Sequence, residues 1–251
     1  MAESFAVAHA LRAGGHDEPL AALADGALVV SLGLGTDPLV ESADRAGLLV
    51  LEHDGALHAV PGASVRTERQ DSVDGARRLF TVAWEPAAAT ELVGGADLVA
   101  QTRDRLLLAV SAQLVGLSRQ LLELAVAHVR VREQFGRPLG SFQAVQHRLA
   151  DVAVAVEFAG PVVARAACSL AAGAPSGTRD VAMAKVFASE AAERAAYSAL
   201  QVHGAMGYTR EHDLHLYGLR AWALALAHGD AAVHRERVAA ELFGGPAPRY
   251  P

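Results

Sequence analysis

The sequence predicts an α+β protein in two parts: a short helix and small β domain over residues 1–94, then an antiparallel four-helix bundle over residues 95–251. Three observations predict it. Before residue 95, short apolar runs are separated by Asp25-Gly26, Asp54-Gly55 and Pro61-Gly62, the pattern of strands joined by tight turns. After it, Leu107, Val110, Leu114, Leu117, Leu121, Leu124 and Val129 recur at three- and four-residue steps, the period of an amphipathic helix. Throughout, the apolar residues are mainly Ala, Leu and Val with only 5% aromatics, a mix suited to helices that approach closely through small side chains.

The elements follow in order. Ser4 to Arg12 reads as a short helix. Strands are expected at Ala27–Leu32, Gly47–Leu51 and Leu79–Trp84, with residues 49–60 forming a hairpin about Asp54-Gly55 and Trp84 serving the β-domain core. Four long helices are expected at about 97–134, 142–172, 178–204 and 212–242. They are separated by Gly136-Arg137-Pro138, by Gly173-Ala174-Pro175-Ser176-Gly177 and by Gly204 to Gly207. The tail from Gly244 to Pro251 is expected to fray.

Composition excludes several functions. The net charge of −6 and the lack of a basic stripe with interleaved aromatics argue against a nucleic-acid partner. A single cysteine, Cys168, excludes a disulfide framework and a thiolate zinc site, and is expected to pack as a small helical residue. Met1-Ala2-Glu3-Ser4 has no basic region ahead of a long apolar run, and no eighteen apolar residues run uninterrupted by charge. A cytoplasmic protein without a membrane span is expected.

Two segments carry chemistry. The first is Arg132-Glu133-Gln134-Phe135-Gly136-Arg137-Pro138-Leu139-Gly140-Ser141-Phe142-Gln143; the second is Gln201-Val202-His203-Gly204-Ala205-Met206-Gly207-Tyr208. The planar fork of Arg132 can grip two phosphate oxygens at once. Phe135 offers a flat face to a heteroaromatic ring. Gly136, Pro138 and Gly140 stop the helix and turn the chain, so that Phe142 and Gln143 open the next helix close to Arg132. The Gln143 amide can both donate to and accept from an adenine or ribose edge. Gly204 and Gly207 end a helix and admit another molecule's polar atoms close to the backbone. Taken singly, each piece also has a plain reading, a solvated C-terminal charge or a helix cap. In this order, with helical sequence between them, they read as a two-part cradle for an anion and a ring.

These segments resemble the cofactor-contacting signature of the flavin-dependent acyl-CoA dehydrogenases, and residues 97–243 resemble that family's C-terminal helical domain. The β half resembles the middle domain weakly, and the family's N-terminal helical domain is almost entirely missing. The resemblance implies FAD held between subunits, with Arg132, Phe135, Gln143, Gln201 and Gly204 matching the set that holds the ADP portion of a neighbour's cofactor. The ring-holding half departs from the pattern. Gly33-Leu34-Gly35-Thr36-Asp37 echoes the end of Thr-Glu-Pro-Gly-x-Gly-Ser-Asp, but Val30, Ser31 and Leu32 replace its start, and no Trp-x-Ile-Thr segment follows. Desaturation of an acyl thioester needs a base for the Cα proton and a hydride acceptor for Cβ. Where the family has Tyr-Glu-Gly-Thr, this chain has Ala227-His228-Gly229-Asp230; a second family position for the base falls on Asp104, which also reads as a first-turn acid favoured by the helix dipole. Arg105 matches a residue that meets the acyl-CoA, or else makes a salt bridge. The resemblance thus implies the small subunit of a heteromeric acyl-CoA dehydrogenase, an α₂β₂ heterotetramer with a full-length paralogue, acting on an acyl-CoA or carrier-bound acyl substrate. A stand-alone flavoenzyme using Asp104, and a scaffold subunit without flavin, are the alternatives.

Overall fold

The computed structural model describes residues 2–35 and 37–244; Thr36, inside the Gly33–Asp37 echo, and the tail from 245 lie outside the described residues. The chain divides into two compact units, Met1–Ala109 and Val110–Pro251.

The first unit opens with α1 (Ala2–Ala13) and α2 (Asp17–Ala24), the second of which the sequence reading missed because it is short and weakly patterned. Two three-stranded sheets follow. One joins β1 (Val30–Gly33), β3 (Leu48–His53) and β4 (Ala56–Pro61), with β1 parallel to β3. The other joins β2 (Val40–Glu41), β6 (Leu79–Ala83) and β5 (Arg66–Gln70) in antiparallel order. The β3–β4 hairpin turns at Asp54 and Gly55, whose φ of 47° and 77° are the left-handed values a two-residue hairpin turn demands. Val40, Ala43, Ala46, Leu49, Leu51, Val60 and Phe80 form the core of these sheets. Trp84 packs against that core half-buried, its ring 5.2 Å from that of His58.

Gly94 and Gly95, with φ of 142° and 51°, lead into α3 (Gly95–Val131). In the second unit α3 is followed by a small hairpin of β7 (Glu133–Gln134) and β8 (Arg137–Pro138), then α4 (Gln143–Ala171) and α5 (Gly177–His203). α4 and α5 pack along one another. α4 turns Leu149, Val152, Val156, Ala159 and Val163 inward, and α5 is lined with Ala182, Ala188, Ala192, Ala195 and Ala199, small residues that let the helices approach closely. By length and composition α3 and α4 could each cross a membrane, but each buries part of its apolar surface within the protein.

Three expectations need correction. The fourth helix, 212–242, is two helices, α6 (Leu214–Leu226) and α7 (Ala231–Phe243), so the second unit has three long helices and two shorter ones among its described residues. The chain breaks because His228 and Gly229 adopt φ of 59° and 96°, and the Asp230 carboxylate accepts the Val233 N–H as the N-cap of α7. Secondly, α3 ends at Val131, where the chain enters the hairpin, three residues before the expected end. Finally, Cys168 is exposed, because it falls beside the buried stripe that runs through Val163, Ala166 and Ser169.

Candidate cofactor-binding site

The Arg132–Gln143 segment is held in shape by its own backbone. The Arg132 N–H still donates to the His128 carbonyl, and the Arg132 carbonyl accepts from Leu139 N–H at 2.8 Å, closing the β7–β8 hairpin. Its two turn residues are Phe135 and Gly136, with φ of 55° and 76°. Glycine adopts this conformation freely; for a bulky aromatic it is strained by order 1–3 kcal/mol. Phe135 is also 89% exposed. Its ring meets Phe142 edge-on at 6.1 Å, and the Arg137 guanidinium lies 4.0 Å from the Phe142 ring, so the turn is braced from beneath by aromatic and cation–π contacts. Gln143 is the first residue of α4 and is exposed.

The second segment ends α5. Gln201 is exposed on its last turn, and Gly204 takes φ 60°, ψ −136°, a conformation for glycine alone. A Cβ at Gly204 would point into open space, whereas one at Gly207 would come within 2.9 Å of the Leu200 side chain. The two glycines therefore do different work: Gly204 leaves room outside, and Gly207 lets the following 3-10 turn close onto α5. Both segments meet at one end of the unit, because the rings of His128 on α3 and His203 on α5 stack at 4.2 Å.

Among the described residues, Arg132, Gln143 and Gln201 make no side-chain hydrogen bond or ion pair within the chain. A charged fork, two amides, an aromatic and an open glycine are thus exposed on the two segments that the imidazole stack joins. That donor set fits the ADP portion of a dinucleotide: the fork suits the pyrophosphate, the amides the ribose and adenine edges.

The first unit offers less. Val30 to Gly33 is β1, fully buried, and the Gly35 N–H donates to Glu52 at 2.9 Å, while Glu52 also accepts from Arg103 at 3.2 Å. Sequence reasoning missed Glu52, since nothing in its surroundings signals a partner so distant in the chain. Asp104 is only 4% exposed and lies well inside α3, so it is not the helix-start acid expected; Asp97 holds that place. Arg105 Nη1 donates to the Gln101 carbonyl, and burial lowers its pKa while Asp104 opposes the shift.

At the α6–α7 break the buried ammonium of Lys185 donates to Ser189 Oγ, Ala225 O and Gly229 O at 3.2, 2.8 and 3.1 Å. Burial pulls its pKa down to about 8, against the opposing charges of Asp230 and Glu193. His234, 1% exposed, donates from Nε2 to the His228 carbonyl, and burial and then Lys185 push its pKa down to about 4. Neither residue was singled out from the sequence, although a lysine in an alanine-rich helix face is a readable anomaly.

The chain is similar to known proteins over most of its length. Residues 94–243 match the model of the acyl-CoA dehydrogenase C-terminal domain. The chain is 34% identical to acyl-CoA dehydrogenase IpdE2 of Mycolicibacterium smegmatis, over 93% of this chain and 70% of that protein. It is 36% identical to IpdE2 of Mycobacterium tuberculosis, over 85% of this chain and 61% of that protein. Among solved structures, the steroid ACAD Tcur3481-Tcur3483 matches with a TM-score of 0.86 at 23% identity, covering 94% of this chain and 74% of that one. With the helical domain matched along its length and a relative aligned over nearly the whole chain, this protein belongs to the acyl-CoA dehydrogenase family.

Proposed function

We propose that this chain is a subunit of an FAD-dependent acyl-CoA dehydrogenase that desaturates an acyl thioester between Cα and Cβ, and that it lends the ADP half of a flavin site to a partner subunit. The observation that carries the proposal is the exposed set of Arg132, Gln143 and Gln201, whose side chains make no hydrogen bond or ion pair among the described residues, with the exposed ring of Phe135 and the open Gly204 on the same two segments. A protein does not hold an aromatic 89% exposed on a strained turn for its own stability. Bound flavin would supply the acceptor for the hydride leaving Cβ. The part assigned to this chain is binding: Arg132 to the pyrophosphate, Gln143 and Gln201 to the ribose and adenine edges, and Phe135 against a flat ring.

The partner is a full-length paralogue that supplies the ring site and the base, in a cytoplasmic heterotetramer. Supporting this, the Gly35 N–H is already held by Glu52, and Asp104 is buried in α3. The steroid ACAD among the similar structures is the reason to begin substrate trials with bulky, sterol-derived acyl-CoA. The test is flavin stoichiometry. Purified alone, the chain should be colourless or weakly yellow; co-expressed with the product of an adjacent paralogous gene, it should carry about one FAD per heterodimer, with each site drawing one half from each chain. A fully loaded, bright yellow homo-oligomer would overturn the proposal.

A further inference from the structure

The two segments of the candidate cradle meet across a cluster of imidazoles. His203, buried between Gln201 and Gly204, stacks on His128 with ring centroids 4.2 Å apart and planes 23° from parallel. His212, just ahead of α6, meets His203 edge-on at 4.8 Å. His128 lies one helical turn before Arg132, whose N–H donates to its carbonyl. Any movement of this stack is therefore transmitted to Arg132 on one side and to Gln201 and Gly204 on the other.

We infer that His128 and His203 are positioning residues that hold the two segments in register only while both rings are uncharged. The inference rests on the reading of those segments as an ADP cradle. Its physical basis is the surroundings of His203. Nδ1–H donates to the Ala199 carbonyl at 2.7 Å, so in the neutral ring Nε2 carries the lone pair, and that atom is buried without a partner. A proton added there would be a buried cationic N–H with no acceptor, which is far costlier than an idle lone pair. The charges that act here are those of Arg132 on α3 and of His203, both on His128, and that of His212, from the segment before α6, on both rings; each disfavours a further positive charge, and no carboxylate is among them. The Nδ1 of His212 accepts the Leu214 N–H at 3.1 Å, which fixes that ring beside His203. Burial first, then His203, His212 and Arg132, hold His128 below the usual histidine range, and burial, helped by His212 and opposed by the hydrogen bond to Ala199, does the same for His203. Protonated, the His203 ring must leave the stack to reach water, and the register between the segments goes with it.

The test uses the full chain with ADP-ribose as probe, because its pyrophosphate diester keeps its charge across the range in which histidine titrates. Affinity should be flat above about pH 6.5 and then weaken about tenfold per pH unit below the point where His203 takes its proton, since only the neutral fraction is competent. Imidazole NMR in the same sample locates that point. His128→Phe with His203→Phe keeps an aromatic stack that cannot titrate, so the break should vanish while neutral-pH affinity stays within about threefold. If the double variant does not fold, His128→Phe alone removes one basic neighbour of His203 and should move the break measurably. Without ligand, the amide signals of Arg132 and Gly204 should shift in step with the His203 titration. Amides that stay fixed through that titration, or a break that persists in the double variant, would overturn the inference. An Arg132→Ala variant with unchanged affinity would instead bring down the cradle reading itself, and the inference with it.

Discussion

Replacing Lys185 with Met should destabilise the helical unit, and the loss should grow as the pH rises. The ammonium is fully buried and uses all three of its N–H donors, on Ser189 Oγ and on the carbonyls of Ala225 and Gly229. Methionine matches the stem in volume but leaves three acceptors without a donor, at about 1–3 kcal/mol for each buried one. Opposing this is the relief of a buried charge. The folded pKa of about 8, against 10.5 for a free lysine, corresponds to roughly 3 kcal/mol of desolvation and local charge effects combined. At neutral pH the three unmet acceptors, about 3–9 kcal/mol together, are partly offset by that relief, leaving a net loss of up to about 6 kcal/mol. The sign of the pH dependence is the sharper test. Because the folded pKa lies below the unfolded one, the unfolded chain binds the proton more tightly between pH 8 and 10.5, so wild-type stability from this group rises over that window. The Met variant has no such group, and the gap between the two proteins should widen by about 1.4 kcal/mol for each pH unit above 8. Urea unfolding followed by far-ultraviolet circular dichroism at neutral pH and at about pH 9 measures it. A gap that stays constant or narrows would mean that Lys185 is not charged and buried as described.

Other outcomes follow from the same geometry. Arg132→Ala should cut flavin affinity of the assembled protein by tenfold or more, at about 1.5–3 kcal/mol per charge-assisted bond, with Arg132→Lys restoring only part; equilibrium dialysis checks it. Asp104→Asn, nearly isosteric at a buried position, should leave desaturation by the assembled complex within a few-fold, whereas a drop beyond about a hundredfold in steady-state rate would make Asp104 the base. His234, held neutral with its pKa near 4, contributes stability that is present above about pH 6.5 and lost as the pH falls toward 4. His234→Gln should therefore flatten the acid limb of the unfolding curve; an unchanged limb would show that another group carries it.

The sequence made the long-range pattern legible where local chemistry and tertiary demand agree. Asp54-Gly55 announced its hairpin because both residues favour the left-handed turn, and the apolar steps from Leu107 to Val129 announced α3. β5, Arg66–Gln70, was silent: an exposed edge strand of charged and polar residues, it owes its existence to pairing with β6 and has no apolar alternation of its own. The α6–α7 break was written in Gly229-Asp230, a helix stop followed by a cap, but the Ala- and Leu-rich run before it reads as one helix until the Lys185 contacts are seen. The residues of the candidate cradle were readable because their types are suited to a ligand; His128, His203 and Glu52 were not, because their roles arise only from what folding places against them.

Two hairpins among the described residues turn on the same left-handed pair of residues, and the difference between them argues for function. At Asp54-Gly55 the first position holds a residue whose short polar side chain tolerates positive φ. At Phe135-Gly136 it holds a phenylalanine in the same conformation, with no apolar burial to offset the strain, since the ring is 89% exposed. On stability alone, Asn, Asp or Gly would serve better at position 135 by about 1 kcal/mol. Phe135→Gly should accordingly leave the folded chain as stable or more so in thermal unfolding, while weakening flavin binding by the assembled protein. A variant that lost stability and kept its flavin affinity would show the ring to be structural, and would remove the strongest reason for placing a neighbour's cofactor against this turn.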